Sequence, residues 1–165
     1  MIILVRVDDR LLHGQIICAW VPFLKADSLK ADSLLVASDE AAGDSLVSEI
    51  IGSCGYKGLN VYVKSIDDAV GRLRGDGPAK ERTILIVGDL KDALRIYDMG
   101  IRFTSINLGN IHHEDGRRVT PYVTVNREDE EILRRFRHMG VSIDVRDVPA
   151  SPPAEYIPMM EEGRR

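Results

Sequence analysis

Ile2-Ile3-Leu4-Val5 opens the chain as an unbroken apolar run, the pattern of a strand buried on both faces of a parallel sheet. The pattern then switches to helical spacing, with Ile16, Ile17, Trp20 and Leu24 on one face of a predicted helix over residues 13–24. Further strands are read at residues 34–37 and 83–87, at 59–63 with its β-branched residues, and at 103–108. Between them residues 45–51, 65–73 and 89–99 read as helices, with Ser65 as an N-cap and Gly100 just past a helix end. A polar loop over residues 109–118 precedes an alternating segment, 119–125, read as one further strand. Asn126 caps a helix that runs to Met139 and stops at Gly140, and 141–145 is the last strand.

This strict alternation predicts an α/β chain, a three-layer α/β/α sandwich on a central, mainly parallel sheet of six or seven strands. The 165 residues fit one domain, here 1–165 with no internal boundary, and the proline-rich end, 150–165, is expected to form a surface tail. A net charge of −4 argues against a nucleic-acid partner. No apolar run approaches the roughly 18–20 residues of a membrane span, the first apolar run is too short for a signal peptide, and two cysteines make no disulfide framework. These features point to the cytoplasm. The pentapeptide Lys25-Ala26-Asp27-Ser28-Leu29 is repeated at once as residues 30–34, which reads as a loop insertion of small energetic consequence.

In an open α/β sheet, sites form beyond the carboxyl ends of the strands. After the first strand stands Arg6-Val7-Asp8-Asp9-Arg10-Leu11-Leu12-His13-Gly14-Gln15, dense in charge and ending at a helix start. A histidine at a helix N-terminus is favoured as the neutral, nucleophilic imidazole. Once it carries a phosphoryl group, the same helix end favours the added negative charge. Arg10 can reach phosphoryl oxygens with its planar fork, and Asp8 or Asp9 could hold Arg10 or fix the imidazole tautomer. Gly14 lets a partner's backbone come close. The plainer readings are an N-cap at Asp9 and a surface ion pair at Arg10. Ser38-Asp39-Glu40 follows the second strand, Gly88-Asp89 the fourth, and Gly109-Asn110 with Arg117-Arg118 the fifth. No phosphate-loop motif is present, and His112-His113 lacks the further ligands of a metal site. Neither a metal nor another cofactor is expected.

The string Arg6 to Gln15, followed by Trp20, closely resembles the opening of the IIB components of the mannose/fructose/sorbose family of the bacterial sugar phosphotransferase system. The likeness continues through Val36-Ala37-Ser38-Asp39-Glu40, Ile106-Asn107-Leu108-Gly109 and Gly140 to Pro149. It implies a phosphocarrier transferase. His13 would take a phosphoryl group from a phosphorylated IIA protein and pass it to a sugar held by the membrane components IIC and IID. The catalytic residues are then His13 and Arg10, with Arg6, Asp9, Gly14, Ser38, Asp39, Gly109 and Arg117 binding phosphate or supporting the site. The chain would lie in the cytoplasm against its transporter, and association with a second copy is left open. The alternative is a regulatory phosphoprotein of the same family, phosphorylated on His13 without coupling to transport.

Overall fold

A computed structural model describes residues 1–26, 30–75 and 81–159. Six strands build the sheet: β1 (Ile2–Asp8), β2 (Ser33–Ala37), β3 (Asn60–Lys64), β4 (Thr83–Val87), β5 (Ser105–Asn110) and β8 (Ser142–Asp144). They lie in the order β3-β2-β4-β1-β5-β8, and every pairing is parallel. The helices are α1 (Val21–Ala26), α2 (Asp39–Gly43), α3 (Ser45–Ser53), α4 (Ile66–Arg74), α5 (Leu90–Asp98) and α6 (Arg127–His138).

Alternate residues of each strand feed two separate cores, as the two-residue period of a strand requires. Val5, Val7, Leu35, Leu85, Val87, Ile106 and Leu108 pack with buried residues of α4, α5 and α6. Leu34, Val36, Ile84 and Ile86 pack on the other face with Ile16, Trp20, Leu24 and Ile51. Arg6 and Asp8 have the opposite parity to Val5 and Val7, so they project toward the α1 face. β1 hands on to β2, on one side of it, while β5 hands on to β8 on the other. Their carboxyl ends therefore flank a switch in direction, where such sheets open a crevice.

Several elements end where local chemistry ends them. The Ser65 hydroxyl accepts from the Asp68 amide at 3.2 Å, and Asn126 with Asp129 forms a complete capping box on α6. Gly100 and Gly140 take the left-handed conformation after α5 and α6 (φ 100° and 81°).

Two expectations need correction. The helix expected over residues 13–24 is interrupted: Ile16–Trp20 forms a π-helical turn before α1 begins. Pro22 supplies the reason, because it has no amide to donate and its ring crowds the carbonyl four residues back, which a widened turn relieves. The segment read as one strand over 119–125 is instead a hairpin, β6 (Arg117–Thr120) with β7 (Val123–Val125), antiparallel and apart from the main sheet. Pro121 falls in its turn, where a missing amide costs nothing. The Ile111 amide donates to the Tyr122 carbonyl and the Thr124 amide to the Ile111 carbonyl, which ties the hairpin to the end of β5.

In the duplicated pentapeptide, residues 27–29 lie outside the described residues. The second copy runs into β2. The Asp32 carboxylate accepts from Arg82 Nε and Nη2 at 2.9 and 3.0 Å, Ser33 meets Thr83 at 3.0 Å, and Leu34 sits buried in register with Ile84. Beyond β8 the chain turns back, with the Tyr156 amide donating to the Ile143 carbonyl and the Val145 amide to that of Ala154.

Candidate functional site

The end of β1 places Asp8 under a tight loop. Its side chain is fully buried, and its two oxygens take six donors. Oδ1 accepts from the Arg10 amide at 3.2 Å and Arg10 Nε at 2.9 Å. Oδ2 accepts from Arg6 Nε at 3.3 Å, Arg6 Nη2 at 3.0 Å and Arg10 Nη2 at 3.0 Å. The sixth donor is His13 Nε2, 3.0 Å from the same Oδ2. Burial opposes the charge on Asp8, but the hydrogen bonds from His13 and Arg10 and the charge of Arg6 hold its carboxyl well below the usual carboxylate range. An ionised carboxylate can only accept, so the His13 proton lies on Nε2. Nδ1 then keeps its lone pair, and the Gln15 amide donates to it at 3.3 Å.

The loop between Asp8 and His13 is held in a costly conformation. Leu11 has φ 55°, in the left-handed region, and its amide donates to the Asp8 carbonyl at 2.9 Å. For a non-glycine residue this costs on the order of 1–3 kcal/mol. The Asp9 amide fixes the loop against the Asn110 carbonyl at 3.0 Å.

Beneath Asp8 lies Arg6, with no exposed side-chain area. Its Nη1 donates to Asn107 Oδ1 at 2.6 Å and to the Asp147 carbonyl at 3.4 Å. Its guanidinium carbon stands 5.3 Å from the centre of the Trp20 ring, whose Nε1 donates to the same Asp147 carbonyl at 2.9 Å. Burial pulls the Arg6 pKa below its ordinary value, with Asp8 opposing. Gly109 makes room for this arrangement: a Cβ there would overlap Cζ, Nη2 and Nε of Arg6. Gly109→Ala should therefore displace a buried cation from its partners and lower stability by about 3 kcal/mol. A denaturant midpoint equal to that of the wild type would show that Arg6 can leave its place freely.

The expected site residues divide. Arg10, His13, Gly14 and Gly109 gather at the end of β1 and β5. A Cβ on Gly14 would meet nothing within 4 Å, so the backbone beside His13 is open. Arg6 lines no open pocket; it props Asp8 from below. Asp9, expected to support the site, is exposed and accepts from Asn110 Nδ2; Asp8 takes the role because it shares the inward parity of Arg6. Ser38 caps α2, accepting from the Ala41 amide at 3.2 Å. Asp39 accepts from the Ile66 amide at 2.8 Å and Arg95 at 2.7 Å. Both follow β2, which β4 separates from β1, and neither bonds to the Asp8 cluster. Arg117 is bound to Glu130 and the Tyr156 hydroxyl, clamping the hairpin to α6 and the returning chain. Asn107 and Trp20 were not expected as parts of the site. The spacing Arg6-x-Asp8, two residues apart on one strand face, was the available signal for the buried pair.

The family described as PTS system sorbose subfamily IIB component matches residues 2–165. The chain belongs to this family. The IIB chain is 25% identical over 160 residues to the PTS system mannose-specific EIIAB component of Escherichia coli (strain K12), covering 96% of this chain and 48% of that protein. It thus spans about half the length of that relative. The crystal structure of the N-acetylgalactosamine-specific IIB component 1 from Escherichia coli superposes with a TM-score of 0.80 at 27% identity, over 96% of this chain and 100% of that one. The IIBSor domain of the sorbose permease from Klebsiella pneumoniae shares the fold, with a TM-score of 0.84 at 24% identity over 93% and 92% of the two chains.

Proposed function

We propose that this IIB chain is a phosphocarrier transferase in which His13 Nδ1 takes a phosphoryl group from a phosphorylated IIA protein and passes it to a sugar at membrane IIC and IID components. The bond between His13 Nε2 and Asp8 carries the reading. It fixes the tautomer that leaves Nδ1 nucleophilic and supplies a negative charge facing the ring as it becomes cationic. As the bond from Nδ1 to phosphorus forms, the donor's nitrogen–phosphorus bond breaks and its electron pair stays with the donor. The His13 proton remains on Nε2. The Gln15 amide, freed from Nδ1, is placed to donate to a phosphoryl oxygen. Arg10 is held by Asp8 and by Gln15 Oε1 at 3.2 Å, while its Nη1 has no partner among the described residues and its side chain is 41% exposed. It is placed to neutralise the group in transit.

In onward transfer the sugar hydroxyl oxygen bonds to phosphorus, the bond to Nδ1 breaks, and the hydroxyl proton leaves to a base on the membrane side. No helix among the described residues is long and apolar enough to cross a membrane. Exchange with a IIA protein on one side and membrane IIC and IID components on the other puts the chain in the cytoplasm against its transporter. The matched family consists of transport components, which favours this over a purely regulatory phosphoprotein.

The direct test is incubation with phosphorylated IIA protein followed by an assay for acid-labile phosphohistidine. Absence of that species would remove the proposal. Arg10→Lys keeps the charge and loses the fork that spans Asp8 and the phosphoryl oxygens. Transfer should slow roughly 10- to 1,000-fold in single-turnover kinetics; a wild-type rate would reduce Arg10 to a surface ion pair.

A further inference from the structure

Asn107 is 2% exposed and sits in the middle of β5 with every polar atom committed. Its Nδ2 donates to the Arg146 carbonyl at 2.9 Å and Asp144 Oδ2 at 3.1 Å. The amide therefore cannot turn, and its Oδ1 points at Arg6 Nη1, 2.6 Å away. The other face of the same guanidinium, Nε and Nη2, lies on Asp8 Oδ2, the oxygen that also receives His13 Nε2. Arg6 is thus divided between two acceptors, a neutral carbonyl and a carboxylate.

We propose that Asn107 is a positioning residue for phosphoryl exchange, setting through Arg6 the share of the Asp8 charge that faces the His13 ring. This rests on His13 being the acceptor through Nδ1. When Nδ1 is phosphorylated and Nε2 keeps its proton, the ring carries a positive charge, which Asp8 stabilises. A guanidinium pressed on the same oxygen weakens that stabilisation and keeps the phosphoryl group easy to pass on. A neutral carbonyl at 107 holds the plane of Arg6 without drawing its charge from Asp8. The other charges near Arg6 are Arg10 on the loop and Asp147 after β8, and beyond Asn107 stand Asp144 and Arg146, which pair with each other at 2.7 Å.

Two substitutions pull Arg6 in opposite directions. Asn107→Leu removes its neutral acceptor and leaves Arg6 more fully on Asp8, so phospho-His13 loses stability. Asn107→Asp, made together with Asp144→Asn so that its second oxygen faces an amide rather than the Asp144 carboxylate, draws Arg6 away, so phospho-His13 gains stability. The full chain is equilibrated with phosphoimidazole and the ratio of phospho-His13 to phosphoimidazole is read by phosphorus NMR. The ratio should fall on the order of tenfold in the leucine variant and rise by a similar factor in the aspartate variant, the scale of one charge-assisted hydrogen bond. Asp144→Asn disturbs the far side of the same amide and keeps the bond to Arg6, so its ratio should stay within about twofold of wild type. Nitrogen NMR of the His13 ring, with the Nε2 proton retained in each protein, shows that the site is still assembled. Should the aspartate variant fail to fold, the sign of the change in the leucine variant decides. Equal ratios in all the proteins, or a common shift of one sign in both Asn107 variants, overturn the proposal. A wild-type chain that takes no phosphoryl group on His13 overturns the parent reading as well, an outcome separate from any in the variants.

Discussion

Asp8→Ala should lower stability by about 3–5 kcal/mol, because it leaves a fully buried Arg6 cation without its carboxylate. Asn107 Oδ1 and the Asp147 carbonyl remain as acceptors, but both are neutral. The same change frees the His13 tautomer and removes a tether of Arg10, so phosphoryl transfer should fall to near background even in the fraction that folds. The wild-type chain carries a matching acid sensitivity. The Asp8 carboxyl is held below its ordinary value in the folded state, so its stabilisation is present above the unfolded value, about pH 4, and is lost as pH falls toward the folded one. The Asp8→Ala variant lacks that component. Denaturant unfolding of both proteins between pH 3 and pH 7 measures the two effects together. A loss under about 1 kcal/mol at pH 7 would mean that Arg6 finds water or another anion when Asp8 is gone.

Most of the order of strands and helices was legible, because β2 and β4 are short apolar runs and α4, α5 and α6 begin at Ser65, Asp89 and Asn126 as polar caps. The one-turn helix α2 after Ser38 was not read, being too short to show a stripe. Ser65, Asn126, Gly100 and Gly140 announce their roles by residue type alone. The interruption at Ile16–Trp20 was harder to see. Ile16, Ile17, Trp20 and Leu24 keep a helical stripe through it, and only Pro22 hints at the change of winding. The hairpin was hidden for a related reason: alternation marks a strand but does not say which sheet it joins. At the site, residue types alone left Arg10 open to being a surface ion pair and His13 an ordinary residue at a helix start. The resemblance of the whole string Arg6 to Gln15 to the IIB family is what singled the two out. The choice between Asp8 and Asp9 turns on which faces inward, and that depends on how far β1 continues past Val5. Asn107 lies a hundred residues further along, and only the pairing of β1 with β5 brings it under Arg6. Arg117 illustrates the converse, a cation read as part of a polar loop that instead opens β6 and that Glu130 and Tyr156 have already claimed.

His13→Ala should abolish phosphoryl uptake while leaving the fold in place. The ring makes two polar contacts, to Asp8 and to the Gln15 amide, and is 19% exposed on its side chain. Removing it costs one hydrogen bond to a charged group, on the order of 1–3 kcal/mol. Asp8 keeps Arg6 and Arg10, so no buried charge is orphaned. That separates this variant from Asp8→Ala: both lose transfer, but only the aspartate change should strip several kcal/mol of stability. Labelling with phosphorylated IIA protein, followed by acid treatment and peptide mapping, reads the uptake, and thermal unfolding reads the fold. Uptake that persists would move the acceptor to His112 or His113. His113 is a poor candidate, because its Nε2 meets Asp129 Oδ2 at 2.6 Å and its Nδ1 meets Asn126 at 3.4 Å, so neither nitrogen points to an incoming phosphoryl group without first breaking the capping region of α6. Retained uptake in His13→Ala, mapped to either residue, would sink the assignment of the site at the end of β1.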